Sequence, residues 1–173
     1  DGFALLEFIE ELRLRNAGIT KPILMLEGIF QAGDVQLLAR HSLTPVIHCM
    51  AQVEMLEKRA LERPIEVYLK VNSGMNRLGF TVDNVRIAWN ALHAHPAVSG
   101  VTLMTHFADA DGASGVAAQL DWFNSMTAAL TGPRSLANSA AMLRFPETSA
   151  DLVRPGIMLY GCSPFADQSA QDL

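Results

Sequence analysis

Short apolar runs alternate with segments of helical periodicity along the whole chain, and this alternation limits the possible folds more than any other feature. Seven runs predict strands, at residues 2–5, 23–26, 44–48, 65–72, 98–106, 134–137 and 151–153. Strands that alternate with helices predict a parallel sheet with right-handed crossovers. No GxGxxG motif follows the first strand, which argues against a dinucleotide-binding fold.

The spacing of these strands predicts an α/β fold of the (β/α)8 TIM-barrel type. Units of roughly 20–30 residues fit such a barrel, which usually has ~250 residues. The chain has 173 residues, opens at Asp1 without a methionine and stops in a polar tail. We therefore expect an incomplete barrel that lacks its first βα unit, as an internal piece of a larger protein.

Composition narrows the classes of function. An apolar fraction of 50% with 18% charged residues predicts a folded domain. The net charge of −5 and the lack of a basic stripe argue against nucleic-acid binding. Cys49 and Cys162 form no CxxC pair, and with the five scattered histidines they make no zinc signature. No apolar run approaches the ~18 residues needed to span a bilayer. We expect a cytoplasmic protein in a reducing compartment, without a membrane partner.

The fourth predicted strand leads into the most informative stretch, residues 70–79 (KVNSGMNRLG). Apolar and polar residues alternate along the strand, with Lys70 and Asn72 on its polar side. Arg77 lies in the glycine-rich turn beyond it. Loops at the carboxyl ends of parallel strands carry ligand-binding groups, so Arg77 is a candidate binding residue.

Three other strand ends carry polar groups, and a barrel would bring all four to one face. They are His106 with Asp109 and Asp111, Asn138 with Ser139, and Arg154 with Gly156. Taken singly, each has an ordinary structural explanation, such as a helix cap or a turn. Together they predict a site for an anionic ligand such as a phosphate, with Ser139 and the N–H groups near Gly156 and Ile157 as donors.

Five stretches form a more specific set. They are residues 13–28 (RLRNAGITKPILMLEG), 70–79 (KVNSGMNRLG), 105–111 (THFADAD), 137–140 (ANSA) and 151–161 (DLVRPGIMLYG). In this order and at this approximate spacing they resemble the alanine racemases, which are fold-type III pyridoxal-phosphate enzymes. The resemblance covers essentially the whole chain. It implies that residues 1–173 form part of the pyridoxal-phosphate-binding barrel domain.

The resemblance implies a role for each matching residue. Arg77 would contact the substrate carboxylate and the phenolic oxygen of the cofactor, supported by Lys70, which is often carbamylated in the family. His106 would pack against the pyridine ring. The remaining cofactor-binding positions are Asn138, Ser139 (phosphate), Arg154 (pyridine nitrogen), and Gly156 and Ile157 (backbone contacts to the phosphate). Asn72 departs from the pattern, because many members have Asp there; we expect little effect.

An arginine at the pyridine nitrogen has a chemical consequence. Arginine does not give or accept a proton at ordinary pH, so the nitrogen beside Arg154 would stay unprotonated. The cofactor would then be a weaker electron sink than in pyridoxal enzymes that place a carboxylate there. This favours removal and return of a proton at Cα over transamination.

The family's two catalytic bases do not match any residue of this chain. The Schiff-base lysine precedes the point where the chain begins, and the tyrosine comes from a C-terminal β-domain of the partner subunit in a homodimer. The resemblance implies that the whole protein interconverts L- and D-alanine by two-base proton transfer. The reaction would supply D-alanine for peptidoglycan or serve alanine catabolism. We expect this segment alone to be inactive.

Three alternatives remain open on the sequence. The first is a different enzyme on the same barrel, such as a broader-specificity racemase, a serine racemase domain or an amino-acid decarboxylase. A non-enzymatic pyridoxal-phosphate-binding barrel is the second. A metal-dependent barrel with His106, Asp109 and Asp111 as ligands is the third and the weakest, because no pair of histidines shares a strand end.

Overall fold

A computed structural model of the protein describes residues 2–173 and shows six parallel strands. These are β1 (Phe3–Leu5), β2 (Ile23–Met25), β3 (Leu43–Ile47), β4 (Ile65–Lys70), β5 (Val98–Met104) and β6 (Arg134–Ser135). Each strand pairs with the next one along the chain, in the order β1 to β6. A sequential order is that of a barrel, whereas a doubly wound sheet reverses direction at a switch point. The predicted incomplete (β/α) barrel is confirmed.

A helix follows each of the six strands. The helices are α1 (Phe8–Asn16), α2 (Asp34–His41), α3 (Met50–Glu57), α4 (Val85–Ala94), α5 (Ala117–Thr127) and α6 (Ser139–Arg144), with 3₁₀ turns at Pro146–Thr148, Ile157–Tyr160 and Ala170–Asp172. Across residues 2–173, none of these helices has the length and apolarity that crossing a membrane requires.

The central strands β4 and β5 position the polar strand ends. Ile65, Val67 and Leu69 are buried in the main apolar core, as their alternation predicts. The pairing register aligns Lys70 with Met104. Lys70 and the residues just beyond Met104 therefore emerge at the same end of the sheet.

The predicted seventh strand at residues 151–153 is not a strand. A single bridge joins Leu152 to Ser135, and the Arg154 N–H donates to the Ala137 carbonyl at 3.0 Å. The segment lies beside β6 but pairs no further, because β6 has only two residues and Pro155 has no N–H to donate. Asn84 is the N-cap residue of α4.

Glu11 in α1 is a buried charge that the sequence pattern does not anticipate. Its side chain is fully buried, and neither carboxylate oxygen has a hydrogen-bond partner among the described residues. Burial raises the pKa of this carboxyl from 4.5 to about 7, against the opposing effect of the Arg15 guanidinium. The folded state therefore keeps a proton that the unfolded chain releases, and stability should fall as pH rises from 4.5 to about 7.

We predict that Glu11→Gln removes this pH dependence. Because the amide cannot ionise, the variant should be more stable than the wild type by about 3 kcal/mol above neutral pH, and close to it at about pH 4. Urea unfolding across this range measures the difference. Glu10→Gln, at the exposed neighbouring position, is the matched control and should follow the wild type. A wild-type stability that stays constant over this range would contradict the prediction.

Candidate binding site at the carboxyl ends of the strands

A cavity of about 880 Å³ opens at the carboxyl ends of the strands. This volume is within the range of small-molecule sites, roughly 300–1,000 Å³. Every site residue that the family resemblance implies lines it, namely Lys70, Arg77, His106, Asn138, Ser139, Arg154, Gly156 and Ile157. Of the two aspartates predicted beside His106, Asp111 lines the cavity and Asp109 does not. Glu27 from the loop after β2 and His48 from the loop after β3 line it too. The barrel geometry thus brings the four predicted strand ends together.

The Arg154 guanidinium is held by three acceptors. Nη1 donates to Ser135 Oγ at 2.6 Å, and Nη2 donates to the carbonyl oxygens of Thr105 at 2.6 Å and Leu136 at 3.2 Å. Burial lowers the pKa of Arg154 to about 10, which leaves it charged at neutral pH. The three bonds fix the plane of the guanidinium within the cavity wall, so that it forms a rigid cationic donor.

Burial and the neighbouring cations lower the pKa of both Lys70 and His106. Burial, with the Arg77 and Arg154 charges, lowers the pKa of Lys70 to about 8, against the opposing effect of the Glu27 carboxylate. Burial, with Arg154, Arg77 and Lys70, lowers the pKa of His106 to about 4. At neutral pH the site therefore presents a neutral imidazole among three basic side chains, an environment that favours an anionic ligand.

The turn that carries Arg77 is built by two asparagines. Asn72 Oδ1 accepts from the N–H groups of Gly74 at 3.1 Å and Asn76 at 3.0 Å, and its Nδ2 donates to Asn76 Oδ1 at 3.0 Å. Asn76 adopts a left-handed conformation, with φ of 58°. An aspartate at position 72 could accept both N–H bonds but could not donate to Asn76. Asn72 therefore has a specific structural role in this turn.

Ser139 lies at the start of α6 and contacts the Arg154 loop. Its buried hydroxyl oxygen accepts from Gly156 N–H at 2.8 Å and from Met158 N–H at 3.5 Å. The neighbouring Asn138 caps the helix through a 3.0 Å bond from Ala141 N–H. A hydroxyl and backbone N–H groups converge here, and this is the donor set that a phosphate group needs.

The alternative metal site does not assemble. The Asp109 carboxylate accepts the Ser114 N–H at 2.8 Å and is turned into its own loop. Within residues 2–173, no three His, Cys, Asp or Glu side chains lie close enough together to bind a metal ion.

Sequence reasoning missed two groups of residues that support the site. Gln52 links the loops after β2 and β3 through hydrogen bonds to the His48 N–H and the Glu27 carbonyl. Thr105 Oγ1, beside His106, bonds Ser73 Oγ at 2.7 Å and the Val71 carbonyl at 2.9 Å. Neither group follows a periodic sequence pattern. The one signal that could have identified them is that polar residues recur just after the predicted strands.

Taken together, the fold and the cavity define part of a (β/α) barrel domain with a cavity that is lined by basic side chains. Comparison with known proteins specifies the family. The model of the alanine racemase N-terminal domain matches residues 1–164. The chain belongs to the alanine racemase family.

Individual relatives agree with this assignment. An alanine racemase from Azoarcus sp. is 52% identical over 166 residues, which cover 95% of this chain and 47% of the relative. The crystal structure of a biosynthetic alanine racemase from Pseudomonas aeruginosa has a TM-score of 0.94 at 40% identity, covering 99% of this chain and 49% of that one. For an alanine racemase from Acinetobacter baumannii the TM-score is 0.90 at 34% identity, over 99% and 49% of the two chains. The chain thus spans about half the length of its relatives.

Proposed function

We propose that the full-length protein that contains this chain is a pyridoxal-phosphate-dependent alanine racemase. It interconverts L- and D-alanine in the cytoplasm, acts as a homodimer and provides D-alanine for peptidoglycan or takes part in alanine catabolism. Residues 1–173 are part of its cofactor-binding barrel domain. The observation that carries the proposal is the convergence of Lys70, Arg77, His106, Ser139 and Arg154 on one cavity.

The donors of the cavity suit this cofactor. The hydroxyl of Ser139 with the backbone N–H of Gly156 would hold its phosphate, with Asn138 and Ile157 beside them. The fixed guanidinium of Arg154 would donate a hydrogen bond to the pyridine nitrogen without transferring its proton. The neutral His106 would face the ring without adding charge. When bound, the cofactor supplies an electron sink for the pair left at Cα.

The basic residues of this chain would bind and orient the substrate. Arg77, on its asparagine-ordered turn, would bind the alanine carboxylate. Lys70 lies near enough for the two cations to repel each other. Carbamylation of Lys70 would replace this repulsion by attraction and fix Arg77 in place. No residue of this chain matches the family's two bases that move the Cα proton, so we propose that the 173 residues alone are inactive.

Racemisation of alanine tests the proposal. The full-length protein with added pyridoxal phosphate should convert L- to D-alanine, measured by chiral chromatography, and the 173-residue segment should not. Serine and larger amino acids serve as comparison substrates, because a broader racemase would turn them over at similar rates. A full-length protein that binds the cofactor and racemises nothing would be a binding barrel instead.

We predict that Ser139→Ala weakens cofactor binding in the full-length protein. Loss of one hydrogen bond to a charged phosphate should cost about 1.5–2 kcal/mol, or roughly a 10- to 30-fold higher Kd. Absorbance titration with pyridoxal phosphate measures the change. Ser125→Ala is the control, since the exposed Ser125 hydroxyl only donates to the Trp122 carbonyl of its own helix. Equal affinities for Ser139→Ala and the wild type would remove Ser139 from the phosphate site.

A further inference from the structure

The buried side-chain amide of Gln52, in α3, uses all its hydrogen-bonding groups. Its Oε1 accepts from the His48 N–H at 2.8 Å, and its Nε2 donates at 3.1 Å to the carbonyl oxygens of Glu27 and Ile29. The reverse orientation would set the amide NH2 against an N–H and the amide oxygen against two carbonyls. The network therefore fixes the amide, and the amide ties the loop after β2 to the loop after β3.

The same network fixes the proton of His48. Its Nε2 lies 3.1 Å from the Glu27 carbonyl oxygen and 3.1 Å from Gln52 Nε2. The carbonyl can only accept, and both protons of Gln52 Nε2 are directed to carbonyls, so the proton sits on His48 Nε2. The carbonyl oxygen of Glu27 has two lone pairs, so it can accept from both His48 Nε2 and Gln52 Nε2. His48 Nδ1 is left as an acceptor.

This pair of loops forms one wall of the cavity, next to Lys70. Burial lowers the pKa of His48, and the Lys70 charge lowers it further, although the Glu27 carbonyl and carboxylate oppose both effects. His48 is thus neutral, and it adds no charge beside the basic residues. The Glu27 carboxylate in turn raises the pKa of Lys70. The wall therefore provides one carboxylate and one neutral acceptor to a cavity rich in cations.

We propose that Gln52 is a positioning residue of this site, which locks His48 in the neutral Nε2–H tautomer and holds Glu27 and the His48 Nδ1 acceptor beside Lys70. Gly28 permits the arrangement, because a Cβ there would lie 2.7 Å from Gln52 Nε2. Only the kinetic test of this inference rests on the proposed function. The tautomer of His48 can be measured whatever reaction the cavity serves.

The first test is ¹⁵N NMR of the full-length protein labelled at histidine, with His48 assigned by a His48→Gln variant. The wild type should show the Nε2–H tautomer. Gln52→Met, which keeps the volume but removes the amide, should give a mixture of tautomers. Gln52→Glu keeps the acceptor for the His48 N–H, loses both donors and adds a negative charge, so it should raise the pKa of His48.

The second test is the pH profile of alanine racemisation. Gln52→Met should lower kcat/KM by ~10-fold or more and shift the profile, because the groups beside Lys70 lose their geometry. Gln36→Met is the matched control: its Nε2 also donates to a carbonyl, that of Ala60, away from the cavity, and its profile should match the wild type. A His48 tautomer unchanged in Gln52→Met, or an unshifted profile, overturns the positioning role. If the wild type does not racemise alanine, the proposed function fails and the His48 spectra alone decide the role of Gln52.

Discussion

Replacement of Gly28 by alanine should destabilise the protein by about 2–5 kcal/mol. Two causes add. Gly28 has a φ of 75°, where a Cβ is strained, and that Cβ would overlap the Val46 carbonyl oxygen of β3. The loop after β2 could relieve the overlap only by moving off β3, which breaks the Gln52 hydrogen bonds to Glu27 and Ile29. The urea midpoint measures the loss.

Gly18 provides the control for this experiment. Its φ of 84° is similar, but a Cβ there would meet nothing within 4 Å. Gly18→Ala should therefore cost only the backbone term, about 1–2 kcal/mol. Equal costs at the two positions would show that the contact with Val46 does not matter.

Replacement of Arg154 by alanine should have the second largest effect, a loss of about 2–4 kcal/mol in stability together with loss of cofactor binding. The variant leaves the carbonyls of Thr105 and Leu136 and the Ser135 hydroxyl without their donor. Arg154→Lys should recover only part of the loss, because one ammonium cannot reach three acceptors in the geometry of the planar guanidinium. Thermal unfolding and titration with pyridoxal phosphate measure the two effects.

The same variant has an electrostatic signature. Arg154 is the largest of the charges that lower the pKa of His106, so its removal should move that pKa up from about 4 towards 6.5. Histidine NMR in Arg154→Ala would show this shift. Arg86→Ala, at an exposed position of α4, should change stability by less than about 0.5 kcal/mol and leave His106 unaffected. An unshifted His106 in Arg154→Ala would mean that the two groups do not interact.

Much of the barrel and of the candidate site could be predicted because the relevant signals are local. The alternation of Ile65, Val67 and Leu69 determines which face of β4 is buried, and it leaves Lys70 on the opposite side. The parallel topology then requires polar residues that follow different strands to meet at one end. The prediction of a strand at residues 151–153 was wrong because it used only the local sequence. These residues are apolar enough to suggest a strand, but strand formation needs a partner longer than β6.

The sequence by itself determined the class of fold, the set of strand-end residues and the family. Tertiary structure alone decided what holds those residues in place. Arg154 binds the Thr105 carbonyl across 49 positions of the chain, and Gln52 binds the Ile29 carbonyl across 23. Such contacts depend on how strands and loops pack, and no local periodicity encodes them. The burial of Glu11 was decided in the same way, since a glutamate in a helix is charged and exposed unless its neighbours in space cover it.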